Sequence, residues 1–332
     1  MKCKGLVAID KGLVEMTEVE APEPGSGEVR IRMATTLVST GTERAWVMGY
    51  PNAVPTFPHV PGYCCAGWVD KCGEGVAGLA PGDRIACYGL DVGHREIGNV
   101  KAHWTAKVPD GVSFEQAAFT SLAQTSLQGV RKCRIELGES VVSLGLGIVG
   151  LLALQFAHAN GAAPAIGIDR NAKRRDIAKR CGAALAIDNG AGGWEKILLD
   201  ATDGKGPAVV IDNTGVPAAT NAACAMAADY ARICILGCPR GTTDFNFYRD
   251  VQKKSITVIG AHAVDSVPIG RSHPCHWTYL DDARTYYRLL LDGRFTVEPI
   301  IDKRVDKADS AKAYADRLEN DFESLGMLIK WE

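Results

Sequence analysis

Three glycines and one acid carry the clearest chemical signal in this chain. Val141-Val142-Ser143-Leu144 runs into Gly145-Leu146-Gly147-Ile148-Val149-Gly150. An apolar helical stretch follows from Leu151 to about Ala159 and stops at Asn160-Gly161, and a second strand pattern, Ala165-Ile166-Gly167-Ile168, ends in Asp169. Each part has a physical job. Gly145 permits a tight turn, Gly147 lets the backbone approach a pyrophosphate, and Gly150 lets helix and strand pack closely. The pyrophosphate would sit at the helix start, where free N–H groups and the helix dipole favour negative charge. Asp169 lies nineteen residues past Gly150, where a carboxylate accepts hydrogen bonds from ribose hydroxyls. The same carboxylate repels a 2′-phosphate, so the expected cofactor is NAD, with NADP less favoured. Arg170, Arg174 and Arg175 stand beside it, either as phosphate partners or as a solvated helix start.

Other chemistry-bearing residues lie earlier in the chain. Tyr63 follows Pro61-Gly62, and His94 lies in Gly89-Leu90-Asp91-Val92-Gly93-His94-Arg95, a polar glycine-containing stretch after a strand. Histidine titrates near neutrality and suits a general base, with Asp91 near enough to orient it. A lone loop histidine also fits a plain surface role.

The elements that must position these groups fall into two patterns. Up to about Ala118 the chain is rich in short strand signals and Gly/Pro turns: Val29–Met33, Ala66–Asp70, and a turn at Pro81-Gly82-Asp83 leading to Cys87. From about Phe119 to His262 strands and helices alternate. Val209–Asp212 is a buried strand, a helix runs from Pro217 to about Asp229, and Arg232–Gly237 and Ile256–Gly260 are further strands. Such repeated units imply a parallel sheet covered on both faces. The tail 263–332 has helical spacing over Leu280–Leu291 and Asp309–Leu318, then a closing strand Leu325–Trp331. With no sheet of its own, it is expected to rejoin the first domain. The expected domains are therefore 1–118 with 263–332, and 119–262.

The 332 residues are enough for about two domains, and 46% of them are hydrophobic, as in an ordinary globular protein. A net charge of −2 without a basic patch argues against a nucleic-acid partner. No run suits a membrane span, and the N-terminus lacks a secretory pattern. Eleven scattered cysteines with no Cys-x-x-Cys point to reduced thiols and a cytoplasmic protein.

The order of parts resembles the medium-chain dehydrogenase/reductase superfamily, the alcohol dehydrogenase-like group, over essentially the whole chain. Pro22-Glu23-Pro24-Gly25, Pro61-Gly62-Tyr63, Val76 to Ile85 and Leu137-Gly138-Glu139-Ser140-Val141 carry the likeness together with the glycine motif. It implies an α/β fold: a GroES-like β-rich catalytic domain plus a Rossmann domain with a doubly wound parallel sheet. Gly237-Cys238, Asn213-Thr214, and Gln124 with Thr125 match positions near the cofactor. Where zinc members have three metal ligands, this sequence reads Thr40-Gly41-Thr42-Glu43, Gly62-Tyr63-Cys64 and, by counting, Thr120. Threonine and tyrosine are poor zinc ligands, so the expectation is no zinc, with Cys64, Cys65 and His59 leaving room for a nonstandard site. The likeness is then to a zinc-less branch that includes hydroxyethyl-bacteriochlorophyllide dehydrogenases and sugar-acting enzymes.

Without a metal a side chain must handle the alcohol proton. Tyr63 suits donation to a developing alkoxide or serves only as an aromatic wall. Glu43 would orient Tyr63 or a nearby base. Thr42 matches a relay hydroxyl, and Thr40 would line the substrate site. His262 lies at the end of the last sheet strand; His273 and His276 stand in a proline-containing stretch. The leading expectation is an NAD-dependent dehydrogenase of a secondary alcohol on a sugar or polyol derivative. Alternatives are a hydroxyethyl-tetrapyrrole dehydrogenase, a quinone or enone reductase, and a non-catalytic nucleotide-binding protein. The expected partner is a small molecule, with no membrane and no nucleic acid, and the sheet edge at Ile256–Gly260 fits a homodimer or a buried strand.

Overall fold

The computed structural model describes residues 1–53, 55–90, 92–262, 267–270, 277–319 and 323–332. Asp91, His273 and His276 lie outside the described residues.

Among the described residues, fifteen strands organise two compact units. In the first stretch they are β1 (Lys2–Asp10), β2 (Leu13–Glu20), β3 (Glu28–Val38), β4 (Cys64–Cys72), β5 (Arg84–Tyr88), β6 (Ile97–Lys101) and β7 (Thr105–Lys107). The middle stretch adds β8 (Val141–Leu144), β9 (Ala165–Ile168), β10 (Leu185–Ile187), β11 (Val209–Asp212), β12 (Arg232–Ile235) and β13 (Thr257–Gly260). The tail adds β14 (Ile301–Asp306) and β15 (Gly326–Lys330).

One unit comprises residues 1–121, 279–293 and 300–332. Its main sheet runs β14-β15-β3-β4-β5-β7, with β6 also on β3, and β1 pairs with β2. β15 lies antiparallel to β3, Met327 opposite Val38. The closing strand therefore completes the sheet begun by the N-terminal strands. In β3, Val29, Ile31 and Met33 point to one face and pack with Leu6, Val69, Ile85 and Ile329 in one core, while the strand's last six residues are buried on both faces.

The other unit comprises 122–278 and 294–299. All six of its strands are parallel, in the order β10-β9-β8-β11-β12-β13. β8, β9 and β11 are buried throughout, as continuous apolar runs in a sheet covered on both faces should be. The described part of 267–278 groups with this unit, whereas the tail from residue 263 was expected to return whole to the first domain. Its contacts explain this: Gln128 Nε2 donates to the Trp277 carbonyl at 2.9 Å, and the Arg131 guanidinium stacks 4.0 Å from the Trp277 ring. The helix from Pro217 stops at Met226, short of Asp229, because Ala227 turns to an extended backbone. No helix among the described residues is long and apolar enough to cross a membrane.

The helix Tyr279–Leu291 buries Tyr279, Tyr286 and Tyr287, and the helix Ser310–Glu319 buries Tyr314. Their hydroxyls are partnered: Tyr286 donates to the Gln116 carbonyl at 2.8 Å, and Tyr287 meets Thr120 Oγ1 at 2.8 Å. Burial is the leading cause that pushes all four phenols above the ordinary value near 10. Below pH 10 these groups are protonated in both folded and unfolded chains, so the stability they contribute is fully present. Above it the unfolded chain loses protons that the fold retains, and stability falls as pH rises. The expected melting temperature is therefore flat from pH 8 to 9.5 and drops steeply above 10. The limiting slope is about 1.4 kcal/mol per pH unit per ionising tyrosine. Thermal denaturation across that range checks it.

Candidate functional site

The glycine loop leaves β8 where the strand order reverses, between β9 and β11. That is where open parallel sheets bind ligands, beyond the carboxyl ends of the strands. Gly145 has φ +84°, and a Cβ there would lie 2.9 Å from Thr214 Cγ2. Gly147 begins the helix Ile148–Ala159, and a Cβ on it would meet nothing within 4 Å. The space beside the open amides is thus left clear. A Cβ on Gly150 would sit 1.9 Å from the Gly145 carbonyl oxygen, so this glycine lets helix and loop touch. Ile148 is buried on the same helix, and the Val149 carbonyl accepts the Ser126 hydroxyl at 3.0 Å.

Asp169 follows β9. Its Oδ2 accepts the Leu146 amide at 2.7 Å and its Oδ1 accepts the Asn171 amide at 2.8 Å. The acid therefore reaches across to the glycine loop. Arg174 Nη1 stands 3.8 Å from it, Arg175 pairs with Asp188 at 3.0 Å, and Arg170 is exposed.

The neighbouring loops shape the site more than they reach into it. Asn213 Nδ2 donates to Ser143 Oγ at 3.0 Å and to the Ile211 carbonyl at 2.9 Å. The Thr214 amide and hydroxyl both donate to Asp212. A Cβ on Gly237 would lie 2.6 Å from the Asn213 carbonyl carbon, so only glycine allows these two loops to meet. Cys238 is exposed beside it. Gln124 is buried, and its Nε2 has no hydrogen-bond partner among the described residues; Thr125, the next residue, is half-buried. His262 is exposed.

The first unit holds a pocket of about 430 Å³, lined among others by Thr42, Glu43, Trp46, His59, Tyr63 and Arg95. Glu43 comes from the helix Thr40–Val47 and is 3% exposed. Its Oε1 accepts the Ser39 amide at 2.6 Å. Its Oε2 accepts Tyr314 Oη at 2.7 Å and lies 2.8 Å from His94 Nε2. His94 Nδ1 lies 2.8 Å from Thr36 Oγ1, which also accepts the Trp331 indole at 2.9 Å. An indole N–H only donates. The threonine hydrogen is then available to Nδ1, leaving the Nε2–H to meet Glu43.

This corrects one expectation and decides between the two alternatives of another. His94 is not a surface loop residue: it is wholly buried, and both its nitrogens are engaged. A Cβ on Gly62 would lie 2.7 Å from its ring, which explains the glycine before Tyr63. Glu43 does not bond to Tyr63; it holds His94, Tyr314 and the Ser39 amide. Tyr63 Oη instead donates to Ser39 Oγ at 2.6 Å. Burial, above all, pushes the Tyr63 phenol well above its ordinary value, so it stays protonated. Thr40 Oγ1 is buried with no partner among the described residues, and Thr40 is not part of the pocket lining. Ser39, Thr36, Tyr314 and Trp331 had no distinctive sequence signal; only contacts across the fold reveal them.

Comparison with known proteins agrees with this architecture. Residues 25–120 match the family model described as alcohol dehydrogenase GroES-like domain, and residues 149–270 match the one described as zinc-binding dehydrogenase. The chain belongs to the medium-chain dehydrogenase/reductase superfamily. Among similar members of this superfamily, D-guloside 3-dehydrogenase of Escherichia coli is 28% identical over 301 residues, covering 89% of this chain and 85% of that protein. L-threonine 3-dehydrogenase of Pyrococcus furiosus is 28% identical over 328 residues, covering 90% of each. The crystal structure of galactitol-1-phosphate dehydrogenase from Escherichia coli has the same fold, with TM-score 0.86 at 23% identity over 98% of this chain and 99% of that one. The chain is an oxidoreductase acting on alcohols.

The expectation of no zinc is corrected by the match to the zinc-binding dehydrogenase model. The side chains at the expected ligand positions do not form a zinc-donor set. Thr120 Oγ1 is bonded to the Ala117 carbonyl at 2.7 Å and to Tyr287, and Tyr63 is bonded to Ser39. Cys64 and Cys65 are buried, and burial above all pushes both thiols well up. Among the described residues no three His, Cys, Asp or Glu side chains are grouped to hold a metal. No chemical step is therefore routed through one.

Gly150→Ala forces a backbone clash and is expected to destabilise the protein by about 1–3 kcal/mol. Gly147→Ala is expected to leave the melting temperature unchanged but to weaken dinucleotide binding; melting and ligand titration of the two variants check the contrast. Tyr314→Phe removes one donor from a buried carboxylate. Its urea midpoint is expected to fall by the equivalent of about 1–3 kcal/mol.

Proposed function

We propose that this chain is an NAD(H)-linked dehydrogenase interconverting a secondary alcohol and a ketone on a sugar or polyol derivative. The observation that carries the cofactor choice is Asp169. Its carboxylate stands at the end of β9 and is held 2.7 Å from the Leu146 amide of the glycine loop. An anion in that place accepts ribose hydroxyls and repels a 2′-phosphate. When bound, the oxidised nicotinamide accepts a hydride from the carbinol carbon.

The pocket supports the substrate class. Its volume suits a sugar-sized molecule and is small for a tetrapyrrole macrocycle. Thr42, Tyr63, His59 and Arg95 line it with groups that can hydrogen-bond a polyhydroxylated ligand. Similar proteins include sorbitol dehydrogenase of Halalkalibacterium halodurans and galactitol 1-phosphate 5-dehydrogenase of Escherichia coli. The edge strand β13, with Val258 42% exposed, supports the reading of a homodimer paired through that edge.

The test uses the protein with zinc supplied. NAD⁺ and NADP⁺ are titrated separately against a panel of sugars, polyols, threonine and enones, with reduced cofactor followed by absorbance. Turnover with NAD⁺ on a sugar or polyol is expected; turnover only with NADP⁺ or only on an enone would overturn the reading. Asp169→Ala removes the ribose acceptor. It is expected to weaken NAD⁺ binding by about 10- to 100-fold, the worth of a charged hydrogen bond, and to raise NADP⁺ affinity relative to NAD⁺.

A further inference from the structure

Among the described residues lining the pocket, His59 carries a ring nitrogen that the network around Glu43 does not use. It stands four residues before Tyr63. Its backbone is pinned to β1 from both sides: the His59 amide donates to the Ala8 carbonyl at 3.0 Å, and the Ala8 amide donates to the His59 carbonyl at 2.8 Å. The ring rests against Phe57, centroids 5.5 Å apart. Nδ1 lies 3.1 Å from the Thr56 carbonyl oxygen. A carbonyl can only accept, so Nδ1 carries the hydrogen, and in the neutral ring Nε2 carries the lone pair.

Among the described residues, the other titratable and charged groups lining the pocket or packed behind it are accounted for. Glu43 is almost wholly buried and already accepts three hydrogen bonds. The Tyr63 hydrogen goes to Ser39. His94, behind Gly62, has no exposed surface. Arg95 has no acceptor to offer.

We propose that His59 is the general base, taking the alcohol proton on Nε2. This rests on the dehydrogenase reading above. In the forward direction the substrate O–H bond breaks and its proton passes to Nε2. The O–H electron pair becomes the second bond of the carbonyl. The C–H bond breaks, and its electron pair leaves as hydride to the oxidised nicotinamide dinucleotide, which is reduced as the alcohol is oxidised. The imidazolium then returns the proton to water. Burial, as the main cause, lowers the His59 pKa from its ordinary value and so favours the neutral, accepting ring at pH 7. Carbonyl reduction uses the same path in reverse.

Two measurements test the assignment. The first is histidine ¹⁵N NMR of the whole protein, which needs no turnover. The Nδ1–H tautomer is expected for His59 at pH 7; an Nε2–H tautomer overturns His59 alone. The second compares kcat/KM for alcohol oxidation against pH in the unaltered protein and in H59Q and H59N. The unaltered protein is expected to gain activity with rising pH through a limb that both variants lose, with rates down about 10²- to 10⁴-fold. NAD⁺ affinity, measured by direct titration, is expected to stay the same. Turnover with the limb intact in the variants overturns His59 and leaves the dehydrogenase reading standing. No turnover of any alcohol by the unaltered protein, zinc supplied, overturns the dehydrogenase reading and the base with it.

Discussion

The carboxylate of Glu43 is buried at 3% exposure and satisfied by three donors, one local and two from distant parts of the chain. Ser39 supplies an amide four residues away, His94 an imidazole from the stretch between β5 and β6, and Tyr314 a phenol from the tail. A buried charge is tolerable only with such partners. The pocket wall at Thr42, Glu43 and Tyr63 therefore depends on the tail being in place. Trp331 extends the dependence through Thr36 to the last strand. Any change that frees one donor leaves an unmet charge in a low-dielectric interior, where it is far more costly than at the surface.

The parallel-sheet unit is organised by contact distance rather than by charge. Gly150 meets Gly145, Gly237 meets Asn213, and Gly145 meets Thr214, each closer than any side chain allows. These close approaches bring the three strand ends β8, β11 and β12 into one rim, while Gly147 in the same motif faces open space. The steric reasons for glycine differ position by position even inside one short motif.

The pocket groups divide by what burial does to each. Burial keeps the Tyr63 phenol protonated and the His59 ring neutral, because it disfavours whichever form is charged. One environment thus holds a protonated phenol and an accepting imidazole near neutral pH. That separation is what acid–base chemistry on an alcohol requires.

Local chemistry made much of the fold legible. β8, β9 and β11 have the bounds that their mostly apolar runs imply, since a parallel strand covered on both faces buries nearly every side chain. The glycine roles and the acid after β9 followed from spacing, because each acts within a few residues of its neighbours. What lay beyond sequence was every contact closed over long separations. A glycine-flanked polar stretch made His94 read as a loop base, yet the fold buries it between Thr36 and Glu43. The tautomer of His59 is a local matter by contrast, set by a carbonyl three residues back and 3.1 Å away, yet no residue type announces it. The absence of zinc was inferred from side chains at three aligned positions, and the family match corrected it. Ligand spacing in a sequence tells which side chains stand at a position, whereas a metal's donors are assembled by tertiary packing from any part of the chain.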